Sequence, residues 1–414
     1  MSELQRIVEQ LARVTERSVA VHDRSGRILA YSSHEGPIDN VRSESILTRR
    51  TRPEAYAWSL SHGIEQASGP VRIPPNREVG MEASRICAPI RFDGGLLGFL
   101  WLVDPEATLS DDRLPAVQEA ADTAALAIHR EHLMEELERG RGRDLLRVLV
   151  SDESEQRAAA ADELMERNLL VGETAFVALV ARPVRERASA TGIDEPIRAA
   201  LEAAMSACRQ LTSPGHALQL IRRDHGLIVV ALREAVPPAT DGVRRLAGNL
   251  HDALTAGLRT HAGWGAVVGV GDAHAELADV HGSYRQARQA AEVGALVDSF
   301  GPIVQWSEIG VYRILLDLPL ERVTEASLHP GLVRLMGVRD AQMWLDTLEG
   351  YFDSGCDARA TAAAMHLQRG SLYHRLNRIE QLADVDLSQG DDRLGLHLGL
   401  KLARLIGLLP LTPP

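Results

Sequence analysis

The spacing of hydrophobic positions changes along the chain, and these changes divide it into three blocks. The first block, up to about residue 130, opens with apolar residues at helical spacing: Leu4, Ile7, Val8, Leu11 and Val14. Strand-like runs follow at 18–23, 27–33, 71–74, 85–92 and 98–104, and helical stretches at 44–50, 54–62 and 111–130. An opening helix, an antiparallel sheet, inserted helices and a closing helix predict an α+β module.

Local signals mark where elements of this block begin and turn. Ser2 and Gln5 have the spacing of a capping box before the first helix. Asp23-Arg24-Ser25-Gly26 and Asp93-Gly94-Gly95 lie between strand-like runs and are typical of turns. We therefore expect hairpins at both places.

A polar stretch with two glycines connects the first block to the second. The closing helical pattern continues through Leu133 and Leu137 into 139–143, where arginine and glycine alternate. A glycine in a helix costs ~1 kcal/mol relative to alanine. We therefore predict a connecting helix that frays into a hinge over 131–147. An alternative is that these arginines contact phosphate.

The second block, 148–320, alternates helical and strand-like runs, which predicts an α/β domain. The strand-like runs are 175–181, 218–223, 226–232 and 264–270, and the helical runs are 195–211, 243–258 and 280–296, with a further helix closing at 164–170. Two Gly-x-Gly pairs, at Gly263 and Gly265 and at Gly269 and Gly271, lack the Lys-Ser/Thr of a nucleotide-binding loop. We interpret them as strand-end turns.

The third block, 335–410, predicts an all-α domain that contains a helix-turn-helix. Helical spacing over 340–353 ends at Ser354-Gly355, and Asp357 is a candidate N-cap for a short helix to Met365. After a tight connection at His366-Leu367, a helix over 368–382 places three apolar residues on one face: Leu372, Leu376 and Ile379. Helix, short turn and helix with a polar outer face is the arrangement that enters a DNA major groove.

The final leucines alternate from Leu394 to Leu402, which is the period of a strand. The length of the segment and its lack of β-branched residues favour a helix instead. We expect this helix to be buried on several sides and to be a candidate dimer contact.

Composition restricts the class of protein. The chain has 414 residues, a net charge of −12, three widely spaced cysteines and a single lysine, Lys401. The cysteine spacing excludes a disulfide framework and a Cys-x-x-Cys metal site. No apolar run approaches the ~20 residues of a membrane span, and the first residues show no secretory signal. We expect a soluble, cytoplasmic protein that does not associate with membranes.

The net negative charge conceals a small basic surface. From residue 341 onward, nine Asp and Glu outnumber seven Lys and Arg. Between Asp357 and Glu380, however, there are four arginines, two histidines and no carboxylate. A surface without acids suits contact with DNA phosphates, because carboxylates there would repel the backbone. The alternative is an ordinary solvated arginine face on a bundle helix.

Four stretches of the sequence resemble domains of a known family. The hairpin sequences VAVHDRSGRILAYS and CAPIRFDGGLLGFLWL resemble a GAF domain, and LADVHGSYRQARQA resembles the GGDEF-like middle domain of PucR/CdaR regulators. The sequence TAAAMHLQRGSLYHRLNRIE resembles the PucR C-terminal helix-turn-helix, although Gln368 and Gly370 replace the family's frequent His and Asn. The resemblance implies a GAF-like sensor over 1–130, a degenerate GGDEF-like domain over 148–320 and a helix-turn-helix domain over 335–410.

The resemblance implies a ligand-responsive transcriptional regulator, commonly a homodimer or higher homo-oligomer, of a catabolic or amino-acid/nitrogen pathway. An active cyclase of the GGDEF fold needs several carboxylates for two metal ions. The matching tip reads Arg222-Arg223-Asp224-His225-Gly226, so we expect no catalytic residues, metal or cofactor. The alternatives are a GAF-regulated nucleotide cyclase or phosphodiesterase, and a signalling adaptor that does not bind DNA.

Candidate binding residues follow for two partners, double-stranded operator DNA and a small-molecule effector. The second helix of the pair offers candidates for phosphate contact or base readout: Gln368, Arg369, Ser371, Tyr373, His374, Arg375 and Arg378. In the sensor, Arg42 and Arg85 are candidates to hold a carboxylate, and Trp58 and Trp101 to line an apolar part of the pocket. The tryptophans are also typical of a plain hydrophobic core. His22-Asp23 sits in a hairpin, so we do not expect a metal there.

Overall fold

The computed structural model describes residues 2–33, 39–171, 174–185, 193–212, 215–232 and 241–409. The chain divides into two units, Met1–Gly140 and Arg141–Pro414. No helix in the described ranges is both long and apolar enough to cross a membrane.

The first unit is built on a five-stranded antiparallel sheet with strand order β2-β1-β5-β4-β3. Its elements in chain order are α1 (Glu3–Thr15), β1 (Ser18–Asp23), β2 (Ile28–Tyr31), α2 (Asn40–Thr48), α3 (Pro53–Leu60), β3 (Val71–Ile73), β4 (Ser84–Phe92), β5 (Gly95–Asp104) and α4 (Leu114–Leu149). The predicted α+β module is confirmed. The turn between β4 and β5 has positive φ at Asp93 (47°) and Gly94 (78°), as a tight hairpin requires.

Both faces of this sheet are buried, each under different helices. Val19, Val21 and Leu100 point to the face packed against α1 and α4. The alternate positions, among them Cys87 and Trp101, point to the face covered by α2 and α3. Successive strand residues face opposite sides, so one strand contributes to both cores.

The start of α1 forms half of the predicted capping box. The Ser2 side chain accepts a hydrogen bond from the Gln5 backbone N–H at 3.2 Å. The Gln5 side chain, however, donates to Glu9 and to the Tyr31 carbonyl, each at 2.9 Å. Gln5 therefore ties the helix to β2 instead of closing the box.

Helix α4 is continuous where the sequence predicted fraying. It runs without interruption through Gly140 and Gly142. Arg139 reaches Glu135 one turn earlier at 3.5 Å, and Arg141 forms a two-pronged ion pair with Glu163 at 2.9 and 2.6 Å. The prediction of a frayed hinge was wrong, because strong helix-forming residues and these contacts offset a glycine penalty of ~1 kcal/mol each.

The second unit contains a five-stranded mixed sheet followed by helices. Its elements in chain order are α5 (Ser154–Glu166), β6 (Ala175–Arg185), α6 (Glu195–Gln210), β7 (Ala217–Ile221), β8 (Gly226–Leu232), α7 (Asp241–Leu258), β9 (Trp264–Val270), α8 (Val280–Leu296), β10 (Ile303–Gln305), α9 (Tyr312–Leu315), α10 (Pro330–Met336), α11 (Ala341–Asp353), α12 (Ala358–Ala364), α13 (Arg369–Ala383) and α14 (Gly390–Leu405). The strand order is β10-β9-β6-β8-β7, with only β10 and β9 parallel among the pairs described.

The two faces of this second sheet have different partners. One face packs against α6 and α7 through residues such as Leu201 and Leu250. The other belongs to a larger core that includes Ala287 of α8, and that core continues without a break to Leu372 and Leu400 of the C-terminal helices. The C-terminal helices therefore share a hydrophobic core with the sheet domain.

The glycines at the end of β9 serve helix packing. A side chain at Gly269 would come within 2.0 Å of the Ala287 carbonyl oxygen, and one at Gly271 within 2.1 Å of the Ser283 carbonyl oxygen. Our interpretation of this pair as a strand-end turn was therefore wrong, because Gly269 lies inside the strand and lets α8 pack directly on it. Gly263, with φ of 77°, does lie in a turn.

The final alternating leucines form helix α14, as their composition predicted. Leu396 and Leu400 are fully buried, whereas Leu394 is 66% exposed and Leu398 is 36% exposed. The helix is therefore buried along one side and carries apolar residues on another.

Candidate nucleic-acid interface and sensor pocket

Helix α12 is fixed at its start, and a sharp turn connects it to α13. The Asp357 carboxylate accepts hydrogen bonds from the backbone N–H groups of Ala360 (3.1 Å) and Arg359 (2.7 Å). These bonds satisfy donors that the first helical turn leaves free, and they lower the pKa of Asp357. His366 takes a left-handed conformation with φ of 54°, so the chain reverses within a few residues.

Helix α13 is anchored along its apolar side and at its end. Leu372 and Ile379 are fully buried and Leu376 is nearly so. Arg334 of α10 donates from Nε to the Ala383 carbonyl at 2.9 Å, which satisfies an acceptor that the last turn leaves free. The helix is therefore held from two sides, and its opposite face is left to solvent.

The structure gathers the predicted DNA-contacting residues on α13 and its N-cap, but not with equal exposure. Six of them are exposed: Gln368, Arg369, Ser371, Tyr373, His374 and Arg378. Arg375 is half-buried, and its Nη1 donates to the Thr347 hydroxyl of α11 at 3.2 Å. Arg378 donates to Gln381, on its own helix, at 3.1 Å. A side chain at Gly370 would meet nothing within 4 Å.

Charges in these helices are sorted by position. Among the residues that the structure describes, the exposed Arg359, Arg369 and Arg378 form no salt bridge. Their neighbouring helices pair their acids internally: Asp353 accepts from His397 (3.1 Å) and Lys401 (3.0 Å). We call Arg359, Arg369 and Arg378 the arginine surface; the Asp357 carboxylate, whose charge acts on Arg359 and Arg369, is engaged as the N-cap of α12.

A buried ion pair joins α11 to α14 behind this surface. The Arg404 guanidinium donates from Nε to both carboxylate oxygens of Glu349, at 3.0 and 3.1 Å. Arg404 is 3% and Glu349 9% exposed. Burial, followed by the charges of Glu349 and Asp353, raises the pKa of the adjacent Tyr312 to about 12. This pair fixes the register of the two helices that support α13.

In the sensor, Arg42 and Arg85 meet on the sheet face beneath α2. The Asp39 carboxylate accepts from the Arg42 backbone N–H at 2.8 Å, which caps α2, and from Arg85 Nη2 at 2.6 and 2.8 Å. Arg42 Nη2 donates to the Ser18 hydroxyl at 3.1 Å and to the Val19 carbonyl at 3.3 Å. Both guanidinium groups are buried.

Four buried nitrogen atoms in this region have no hydrogen-bond partner among the residues that the structure describes. They are His22 Nε2, Arg42 Nε, Arg85 Nε and Trp101 Nε1. The rings of His22 and Trp101 lie 5.8 Å apart, and the sheet register places both on the α2 side. Buried polar groups in proteins nearly always have partners, so a cluster of unpaired nitrogens indicates a binding site.

The electrostatics of the cluster favour an anion. Burial lowers the pKa of His22 to about 3, and the charges of Arg42 and Arg85 act in the same direction. Burial, followed by the Arg85 charge, lowers the pKa of Arg42 to about 10. Among the described residues, two guanidinium groups lie beside a neutral imidazole, and the Asp39 carboxylate accepts hydrogen bonds from Arg85.

The structure does not bring Trp58 into this cluster. Its Nε1 donates weakly to the Pro74 carbonyl at 3.4 Å, and its ring packs on His62 at 4.6 Å.

Sequence reasoning missed His22 as a pocket residue and Asp39 altogether. Strand alternation from Trp101 was a signal for His22, since the two lie on one sheet face. No grouping of three or more His, Cys, Asp or Glu fit for a metal occurs in the described ranges.

Comparison with protein families identifies three domains. Residues 2–128 match the GAF domain, residues 172–293 the GGDEF-like domain and residues 344–402 the PucR C-terminal helix-turn-helix domain. The cluster of unpaired nitrogens lies in the first domain, and the arginine surface lies in the third.

Three characterised regulators are similar to nearly the whole chain. The DNA-binding transcriptional activator AdeR of Bacillus subtilis is 20% identical, covering 96% of this chain and 92% of AdeR. The proline-responsive transcriptional activator PutR of the same organism is 17% identical, covering 97% of each chain. The carbohydrate diacid regulator of Escherichia coli is 24% identical, covering 96% of each. Its three matched domains and this end-to-end similarity are those of PucR/CdaR-family regulators.

Proposed function

We propose that this protein is a ligand-responsive transcriptional regulator that binds operator DNA through α13. The observation that carries the proposal is the arginine surface of α12 and α13. Arg359, Arg369 and Arg378 are exposed and form no salt bridge among the described residues, while Asp357 caps α12 and Asp353 is paired with His397 and Lys401. Such a surface offers unpaired cationic donors to DNA phosphates.

Within this surface, the roles differ with exposure. Arg369 and Arg378 are proposed to contact phosphate or the O6 and N7 atoms of guanine, and Ser371 and His374 a base edge or phosphate. Gln368 and Tyr373 are proposed to contact the flanks. Arg375 already donates to Thr347, so its proposed contribution includes holding α13 against α11.

Selection of genomic fragments by the purified full-length protein tests the DNA proposal. Recovered fragments should share a site, and Arg369→Gln and Arg378→Gln should each weaken binding to it by about tenfold. Arg339→Gln is the matched control, because Arg339 is an exposed arginine of the same region that lies outside α12 and α13. Absence of binding to every fragment at low salt would refute a DNA-binding function and favour a signalling adaptor.

We further propose that the sensor binds a small metabolite through a carboxylate. Arg85, Arg42 and Trp101 supply unpaired donors in one place, and arginine forms paired hydrogen bonds with carboxylates. The names of two relatives mention effectors of this chemistry, proline and carbohydrate diacids. This supports control of a catabolic or amino-acid/nitrogen pathway.

Thermal unfolding of the full-length protein with proline or D-glucarate as probes tests the effector class. A ligand that binds only the folded state raises the melting temperature. At a ligand concentration a hundred times its Kd, it adds ~2.7 kcal/mol to the free energy of unfolding. A panel of carboxylates should contain at least one such ligand, and the corresponding amides should have no effect. An equal shift with the amides would refute carboxylate recognition.

Three further parts of the proposal concern organisation. We propose domain boundaries at 1–130, 148–320 and 335–410, a cytoplasmic location, and a homodimer or higher homo-oligomer. Exposed Leu126, Leu133 and Leu137 on α4 recur at intervals of seven and four residues, which is typical of a helix that pairs with a second copy. Light scattering of the purified protein tests the oligomer.

The protein is proposed not to be an enzyme, and incubation with GTP and Mg²⁺ should give no turnover.

A further inference from the structure

A polar cavity of about 170 Å³ lies in the GGDEF-like domain, apart from both regions described above. Three elements line it. Val180 and Arg182 belong to β6, and Asp224 and His225 to the tip of the β7–β8 hairpin. The remaining lining residues, Arg288 and Glu292, belong to α8. The cavity is smaller than the ~300–1,000 Å³ of sites for drug-sized ligands, so it suits a compact group.

A buried hydrogen-bond chain forms one wall. His225, only 5% exposed, contacts the Asp224 carboxylate through Nδ1 at 2.8 Å and the Tyr284 hydroxyl through Nε2 at 2.9 Å. The hydrogen bond from His225 lowers the pKa of Asp224 to about 2, and the charges of Arg182 and Arg288 act in the same direction. Both ring nitrogens of His225 therefore have hydrogen-bond partners.

The cavity arginines act on the Asp224 carboxylate through their charges but form no ion pair at contact distance among the described residues. Neither Arg182 nor Arg288 forms a salt bridge within 4.0 Å among the described residues, although Glu292 lies one turn after Arg288 on the same helix. Beside them, Arg222 has a buried Nε for which the described part of the chain provides no hydrogen-bond partner. The guanidinium groups of Arg222 and Arg288 each lie 5.9 Å from the centre of the Tyr284 ring. Two arginines thus line one small polar space, and a third, Arg222, lies over the same tyrosine ring as Arg288.

We propose that this cavity binds a phosphate group between Arg182 and Arg288, from inorganic phosphate or a small phosphorylated metabolite. The two guanidinium groups come from different elements, a strand and a helix. A tetrahedral group presents oxygens in several directions and engages both, whereas a planar carboxylate pairs with a single guanidinium. Binding requires none of the metal-holding carboxylates of a cyclase. The site would give the regulator a second chemical input.

Calorimetric titration of the full-length protein in chloride buffer tests the proposal, with sodium phosphate and glycerol 3-phosphate as probes. Arg182→Gln and Arg288→Gln should each weaken binding by about tenfold or more. Arg285→Gln is the matched control on the same helix, because Arg285 is exposed and outside the cavity lining, and it should bind as the unmodified protein does. Tighter binding of one probe identifies whether the source is free phosphate or a phosphate ester.

Glu292→Gln keeps the proposal falsifiable if the arginine variants fold poorly. It removes a carboxylate that repels the anion, so it should tighten phosphate binding by a few fold. Unchanged or weaker phosphate binding by Glu292→Gln would overturn the proposal. So would arginine variants that bind phosphate as tightly as the unmodified protein, or sodium acetate binding as tightly as phosphate.

Discussion

At the scale of single residues, His22 makes the sensor sensitive to acid. Its pKa falls from 6.5 to about 3 on folding, because it is buried. Between these values the unfolded chain binds more protons, so stability falls as the pH falls. From pH 7 to pH 5 the loss is about 2 kcal/mol. Hydrogen exchange of the β1 amides at pH 7 and at pH 5 measures this loss of stability.

Two matched variants test whether His22 causes this pH dependence of stability. His22→Asn should remove most of the pH dependence, whereas His132→Gln, at an exposed histidine of α4, should keep it. A pH dependence that survives in His22→Asn would assign acid sensitivity to another group.

The buried pair of Glu349 and Arg404 should respond differently to single and double substitution. Glu349→Gln leaves a buried guanidinium without its counter-charge and should cost about 3–5 kcal/mol of stability in the C-terminal helices. Replacing both, Glu349→Leu with Arg404→Met, should recover most of that loss. Hydrogen exchange of α11 and α14 amides gives both values. A double variant as unstable as the single one would show that the pair is a net stabiliser.

Arg378 is expected to contact phosphate, since its hydrogen bond to Gln381 keeps it along the helix surface. Arg378→Gln should then weaken binding to all sequences and reduce the slope of log affinity against log salt by about 1. Loss confined to the cognate site would mean base readout instead. Unchanged binding would remove Arg378 from the interface.

At the scale of elements, the close approach of α8 to β9 depends on Gly269. Gly269→Ala forces a methyl group within 2.0 Å of the Ala287 carbonyl oxygen, so α8 must move. We expect a loss of about 1–3 kcal/mol in stability, measured by denaturant unfolding. Gly265→Ala on the same strand meets only Val184, at 3.6 Å, and should be nearly neutral. Equal effects of both would exclude the packing explanation.

The elements themselves were largely readable from the sequence, and the contacts between them were not. Periodic apolar residues predicted α13 and β9 closely, because burial of one face fixes both period and length. The continuity of α4 was not predictable, since it depends on Arg141 pairing with Glu163 of another helix. Asp39 went unnoticed because its partner Arg85 is 46 residues away, a separation on which local pattern gives no information.

At the scale of the whole molecule, the regulator model requires sensor and DNA-binding helices to be thermodynamically coupled. An effector that binds the sensor should change operator affinity by about 5–150-fold, the usual range for coupled sites. Trp101→Phe removes one unpaired N–H with little change of volume and should weaken effector binding, leaving effector-free operator affinity unchanged. Trp58→Phe is the control, because Trp58 lies outside the cluster. Gel shifts at varied effector concentration measure both, and equal behaviour of the two variants would contradict the pocket assignment.

The arrangement of Asp39 has a chemical consequence for signalling. One carboxylate both caps α2, through the Arg42 amide, and neutralises Arg85. A metabolite carboxylate that engages Arg85 would take over its counter-ion role, and the aspartate it displaces would no longer hold the first turn of α2. Exchange of the anion bound to Arg85 would thereby fray the first turn of α2. The Arg42 backbone amide would report this fraying most directly.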